Sequence, residues 1–201
     1  MTINKLFFFI IFLFQTTLFS QVNDATKKGL ELIEKKEYKS AIEYFSEILI
    51  KNPNDYLAYN VRGSVKSRIE DHKGAIIDFN KSIKINPNYI TAYNNRANSK
   101  LALKLYGEAE VDYSIVLSFD QLKYNAYAGR GIARYHIKRY LESIYDLSIA
   151  IEINQNEKEA YLYRALGKYK VGDSKGSCID AEKAQEFGYD MYNLIKHVCI
   201  D

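Results

Sequence analysis

Between residues 22 and 191 the apolar positions follow two rhythms at once. Over short distances they recur every three or four residues, as at Ala75, Ile76, Phe79 and Ile83, which sets them along one face of a helix. Over longer distances the arrangement returns every 34 residues: Ala58-Tyr59, Ala92-Tyr93, Ala126-Tyr127 and Ala160-Tyr161. An Arg stands three positions after each of these Tyr residues, at Arg62, Arg96, Arg130 and Arg164. A small residue follows each Arg, at Gly63, Ala97, Gly131 and Ala165. No stretch alternates as a strand does, and no low-complexity linker divides the pattern. Self-similarity at this period predicts stacked helical units, each burying its apolar face against its neighbours.

With 34-residue units beginning at Val22, Tyr56, Ile90, Tyr124 and Lys158, equivalent residues fall into numbered slots. Slot 4 holds Ala25, Tyr59, Tyr93, Tyr127 and Tyr161. Slot 8 holds Gly29, Gly63, Ala97, Gly131 and Ala165. Slot 20 holds Ala41, Ala75, Ala109, Ser143 and Ser177, and slot 24 holds Phe45, Phe79, Tyr113, Leu147 and Ala181. Small residues at slots 8 and 20 let two helices approach closely, and the large ones at slots 4 and 24 fill the space beside them. Pro53 and Pro87 at slot 32 suit a stop after the second helix, because proline cannot continue one. The inter-helix turns are expected at segments such as Asp71-His72-Lys73-Gly74 and Gly172-Asp173-Ser174.

This pattern resembles the tetratricopeptide repeat family, with an aromatic at slot 4, Gly at 8, Ala at 20, an aromatic at 24 and Pro at 32. The resemblance covers nearly all of 22–191. It weakens at the ends, with Ala25 in the first unit and Ser177 and Ala181 in the last, as capping units should. It implies an all-α, right-handed superhelical solenoid of about five helix pairs, at 22–55, 56–89, 90–123, 124–157 and 158–191. A capping helix is expected over 192–201, with Asp190 able to cap its start.

A second periodic set is charged. Slot 7 carries the four Arg residues and slot 23 carries Asp78, Asp112, Asp146 and Asp180. The two slots are equally far from slot 15, beside the turn, so antiparallel helices bring them face to face. The expectation is one Arg–Asp pair per unit that fixes helix register, with a ligand-binding charge ladder as the alternative. Such pairs bear on specificity more than on net stability.

Residues 1–20 read differently. Lys5 precedes nine consecutive apolar residues, Leu6 to Phe14, then polar Gln15-Thr16-Thr17 and the small Ser20. That is the layout of a secretory signal peptide. The alternative is an uncleaved N-terminal anchor, although a membrane span needs about 20 apolar residues. No Cys follows the run to carry a lipid. The expected address is therefore periplasmic or secreted, with no stable membrane span after cleavage. Cys178 and Cys199 are the two cysteines, and the turn near Gly188 lies midway between them, so a disulfide is expected.

Net charge is +3, from 28 basic and 25 acidic residues that interleave along the helices. No one-sided basic stripe marks a nucleic-acid binder. At least seven of the 18 Tyr fill repeat slots and are expected in the core: four at slot 4, and Tyr38, Tyr106 and Tyr140 at slot 17. His72, His136 and His197 are dispersed, and no metal-ligand or nucleophile–base spacing appears. A phosphate-loop lookalike at 167–172 lacks the Lys after its second Gly, and Asn80-Lys81-Ser82 falls inside a predicted helix. No catalysis, cofactor or metal is expected.

The family resemblance implies that slots 2, 5, 9, 12 and 13 of the first helices line a concave groove that holds a peptide or protein partner. The candidate groove residues are Asn60, Arg68, Asn94 and Asn98 at an amide-rich end, and Tyr135, His136, Leu162, Tyr169 and Lys170 at an aromatic end. Slots that form a carboxylate clamp in some family members hold Asn60, Ser64, Asn95, Asn125 and Gly129, without a cation. The reading is a non-catalytic scaffold for protein–protein interaction. The alternatives are self-association through the open ends of the solenoid, or an enzyme or carbohydrate-binding module using the same groove.

Overall fold

The computed structural model describes residues 27–191 together with Lys196 and Cys199. The expected signal peptide, 1–20, lies outside the described residues. So does the 192–201 cap, apart from helical Lys196 and from Cys199. From residue 27 to Glu186 the chain runs through ten helices, and no strand occurs among the described residues. The first, α1, is described over 27–34. It is followed by α2 (Tyr38–Lys51), α3 (Tyr56–Arg68), α4 (His72–Ile85), α5 (Ile90–Ala102) and α6 (Tyr106–Phe119). The remainder are α7 (Tyr124–His136), α8 (Tyr140–Ile153), α9 (Lys158–Lys170) and α10 (Ser174–Glu186). The first helices of units two to five thus begin at Tyr56, Ile90, Tyr124 and Lys158, one period apart.

Each pair closes on its small slots. Phe79 and Leu147 are fully buried at slot 24. A Cβ on the slot-8 glycine of the same unit would come within 2.8 Å of Phe79 from Gly63, and 2.7 Å of Leu147 from Gly131. Where slot 8 is Ala, slot 24 differs. In the third unit Tyr113 instead sends its hydroxyl to Asn98 Oδ1 at 2.5 Å and packs where a Cβ on Gly129 would stand. Slot 20 is buried throughout, and its two serines add a bond across the pair: Ser143 Oγ donates to Gly131 O at 2.7 Å and Ser177 Oγ to Ala165 O at 2.9 Å.

The turn of the second pair lies ahead of Asp71-His72-Lys73-Gly74, where the sequence suggests it, while that of the fifth includes the expected Gly172. Asp71 and Asp173 are N-caps of α4 and α10, accepting from Gly74 N and Gly176 N, so His72-Lys73-Gly74 already belongs to a helix. The reversal is made by slot 15, where Lys36, Glu70, Lys104, Lys138 and Gly172 all have positive φ, between 61° and 84°. The next N–H reaches back five residues, from Asp71 to Lys66 O, Leu105 to Lys100 O and Arg139 to Arg134 O. This is the Schellman closure of a helix C-terminus. The stop after the second helix is set by slot 31 rather than by proline. Asn86, Asp120 and Asn154 each accept from the N–H two residues on, at 3.0–3.2 Å. Units with Gln121 or Gln155 at slot 32 therefore end where those with proline do.

Candidate functional site

The first helices of successive units touch one another directly, α3 with α5, α5 with α7 and α7 with α9. The second helices do not approach each other to the same extent. The solenoid is narrower along its first helices, and that side is its concave groove.

Under this surface lies the charged ladder. Arg62, Arg96, Arg130 and Arg164 each make two parallel bonds to the Asp 16 residues on, at 2.6–2.9 Å. The Asp side chains are 0–2% exposed. A second cation, at slot 11, also reaches each Asp: Lys66, Lys100, Arg134 and Lys168, at 2.8–2.9 Å. Each Arg spans the unit boundary as well. Its Nη1 donates to slot 25 of the preceding unit, at Ser46, Asn80, Ser114 and Ser148, over 2.6–3.3 Å. Its guanidinium lies 5.3–5.6 Å from the centroid of the slot-4 Tyr ring. A buried carboxylate is tolerated when ion pairs and hydrogen bonds replace its water. The periodic charge is thus consumed inside the solenoid, and the register role fits it.

At the amide end most polar groups satisfy each other. Asn60 is 5% exposed, donates to Tyr89 Oη at 3.4 Å and accepts from Asn95 Nδ2 at 3.1 Å. Asn95 also reaches Ser64, and Ser67 pairs with Ser99. Asn98 Oδ1 accepts from Tyr113. Asn60 and Asn98 therefore serve the scaffold. Asn94 differs: it is 8% exposed, and its Oδ1 has no hydrogen-bond partner. Arg68 is exposed.

At the other end a ring cluster joins three units. His136 stacks on Tyr106 with centroids 4.1 Å apart and planes 10° apart. It meets Tyr163 edge-on at 5.5 Å, with Nε2 3.4 Å from the Tyr163 hydroxyl. Tyr135 contacts His136, Tyr140 and Tyr163 at 5.4–5.6 Å. Burial, with Lys104 nearby, lowers the His136 pKa below its ordinary value. Burial raises the Tyr135 and Tyr163 phenols. Tyr169 is not part of this cluster; it is exposed, with Lys170 Nζ 5.6 Å from its ring centroid. Leu162 packs against Ala165, Ala181, Ala184 and Met191, the core beneath the C-terminal end. Tyr163 at slot 6 is a ring that the slot assignment missed, since that slot holds Val61, Asn95 and Gly129 elsewhere, and Tyr106 and Tyr140, expected in the core, are half-buried members of the cluster. Cys178 and Cys199 are joined by a disulfide, Cα–Cα 5.5 Å, which ties residue 199 to α10. Among the described residues no group of three or more His, Cys, Asp or Glu could hold a metal ion. Nor is any helix there long and apolar enough to cross a membrane.

Residues 56–89 match the tetratricopeptide repeat family model. No curated protein matches the chain. Among solved structures, MamA from Desulfovibrio magneticus RS-1 superposes with a TM-score of 0.76 at 18% identity, over 81% of this chain and 92% of that one. A tetratricopeptide repeat protein from Parabacteroides merdae gives 0.72 at 21% identity, over 87% and 69%. YrrB, described as a tetratricopeptide repeat protein with an unusual peptide-binding site, gives 0.73 at 15% identity, over 84% and 87%. At these identities the likeness is one of fold. With five stacked helix pairs and a family match at 56–89, this chain has the fold of a tetratricopeptide-repeat solenoid, and its second unit is a repeat of that family.

Proposed function

We propose that the protein is a non-catalytic scaffold that holds an extended segment of a partner protein in the groove of its first helices, and that it does so outside the cytoplasm. The observation that carries the groove assignment is the cluster of Tyr106, Tyr135, His136, Tyr140 and Tyr163. These rings keep part of their surface in solvent while their mutual contacts hold them in place. Preorganised aromatic surface in a concavity loses little entropy on binding and supplies most of an interface's energy. The address rests on Lys5 and the short apolar run Leu6 to Phe14, and on a disulfide suited to an oxidising compartment.

The test is capture from the exported fraction of the source cells, with the purified chain as bait. Tyr135→Ala combined with Tyr163→Ala should weaken capture of a specific partner at least tenfold at unchanged helicity, since truncating an anchor costs about 2 kcal/mol or more. Tyr169→Ala should have little effect. Unchanged capture by the double variant would remove the groove assignment. Intact mass after expression in a cell with an export pathway checks the address: a product still carrying Lys5 would refute cleavage near Ser20.

A further inference from the structure

The outer face carries a periodic feature that the groove does not use. Slot 22 is the outward position of the second helices. It holds Ile77, Val111, Tyr145 and Ile179, which are 61%, 59%, 66% and 60% exposed. The first unit has an exposed Glu43 there. Four apolar side chains at one period make a rib across α4, α6, α8 and α10. Scattered exposed apolar residues need no explanation, but an aligned series of them does.

Charges beside the rib are sorted by helix. α4 exposes Lys73, Lys81 and Lys84, and its one carboxylate, Asp78, is buried. α8 exposes Glu142 and Glu152 and has no cation within Tyr140–Ile153, but Glu142 pairs at 3.0 Å with Arg139, the N-cap of the same helix, which leaves Glu152 as the acid of this flank. Between them, α6 has a shallow depression of about 490 Å³ lined by Glu110, Val111, Ser114, Ile115 and Ser118. The acids of α6 already have partners within the chain: Glu108 pairs with Lys100, and Glu110 with Arg134 and Arg139. Lys84, Ser118 and Glu152 share slot 29, so they stand at one height on the three helices.

We infer that this face pairs with a second copy of itself about a two-fold axis lying along α6. Such an axis keeps height along the helices and exchanges α4 with α8. Ile77 then faces Tyr145 of the second copy, Val111 and Ile115 meet their own counterparts, and Lys84 faces Glu152 of the second copy. An isologous contact needs a surface complementary to itself. Lys84 and Glu152, at one height on either side of α6, whose acids are paired within the chain, provide one. The face is convex, so only the three middle helices take part and the dimer is a weak one that depends on concentration.

Sedimentation velocity on the purified chain, as the cell processes it, should show mass rising toward twice the monomer between about 1 and 200 μM, the range suited to an interface at the small end of the scale. Val111→Glu should keep it monomeric. Lys84→Glu alone and Glu152→Lys alone should each weaken pairing about tenfold, because like charges then face each other. An equimolar mixture of those two variants should recover pairing, as should the Lys84→Glu/Glu152→Lys double variant, since every contact again joins opposite charges. Should Val111→Glu lose helicity, the two charge positions, both fully on the surface, decide alone. A monomer at every concentration would overturn the proposal and leave the face to a different partner. Association that ignores all these changes, or a mixture no better than its components, would overturn it too.

Discussion

Asp112 has almost no access to solvent, yet three donors replace its water: Arg96 Nε and Nη2 at 2.8 and 2.6 Å, and Lys100 Nζ at 2.9 Å. Removing the bidentate partner leaves a buried carboxylate with one cation. Arg96→Ala should therefore cost about 2–4 kcal/mol in denaturant melts, and Arg96→Lys less. A melt unchanged by Arg96→Ala would deny the ladder its structural role. The Arg and Asp were legible from their shared period and their equal distances from the turn. The slot-11 cations Lys66, Lys100, Arg134 and Lys168 repeat just as regularly. Their inward reach was not legible, because a lysine on a helix usually faces water. The aromatic end shows the same limit, since Tyr163 breaks its slot and only coordinates reveal it beside His136. His136 also carries a pH prediction. Its folded pKa is lowered, first by burial and then by Lys104, so the fold favours neutral imidazole. That contribution is present above the ordinary value of about 6.5 and is lost as pH falls through the lower folded value. An NMR titration should put the His136 midpoint below the ordinary value, and Lys104→Ala should raise it. A midpoint at or above the ordinary value would contradict the packing described.

Helix existence and pairing followed from the 34-residue period, whereas the way each helix ends did not. Slot 15 adopts a left-handed conformation in every pair, although four of its five residues are Lys or Glu. Only the fifth pair has the usual glycine, Gly172, which the sequence placed in the turn; in the other four nothing marks that residue as the reversal, and the visible Asp-x-x-Gly pattern of the second pair belongs to the next helix's cap. Left-handed backbone costs a residue with a Cβ about 1 kcal/mol relative to glycine, part of which the more flexible unfolded chain returns. Lys138→Gly should therefore raise stability by about 0.5–1 kcal/mol, read as a shift in denaturant midpoint. The reverse sign applies at slot 8. Gly63→Ala places a Cβ 2.8 Å from the Phe79 ring and 3.2 Å from Ala75 O, so it should destabilise by about 1–3 kcal/mol. A neutral Gly63→Ala would mean that the pair packs more loosely than described.

Across the whole molecule, stability is a sum over units and the contacts between them, so a local lesson need not spread. The bond between Cys178 and Cys199 closes 21 residues, and a loop of that length contributes about 3 kcal/mol in the chain-entropy account. Cys178→Ser should act locally: amides of α9 and α10 exchange faster while those of α3 to α6 keep their protection. Uniform loss of protection along the chain would show instead that the array unfolds as one body. The link between units also depends little on position. The slot-7 Arg of a unit always reaches the slot-25 hydroxyl or amide of the unit before, whichever unit that is. If 90–123 were excised, Arg130 would meet Asn80 in the place of Arg96, and the joint would close with the same chemistry. Unit number is thereby separated from unit identity. Such a chain can be lengthened, shortened or reordered by whole periods, and each rearrangement would present a new sequence of groove residues on an unchanged spine.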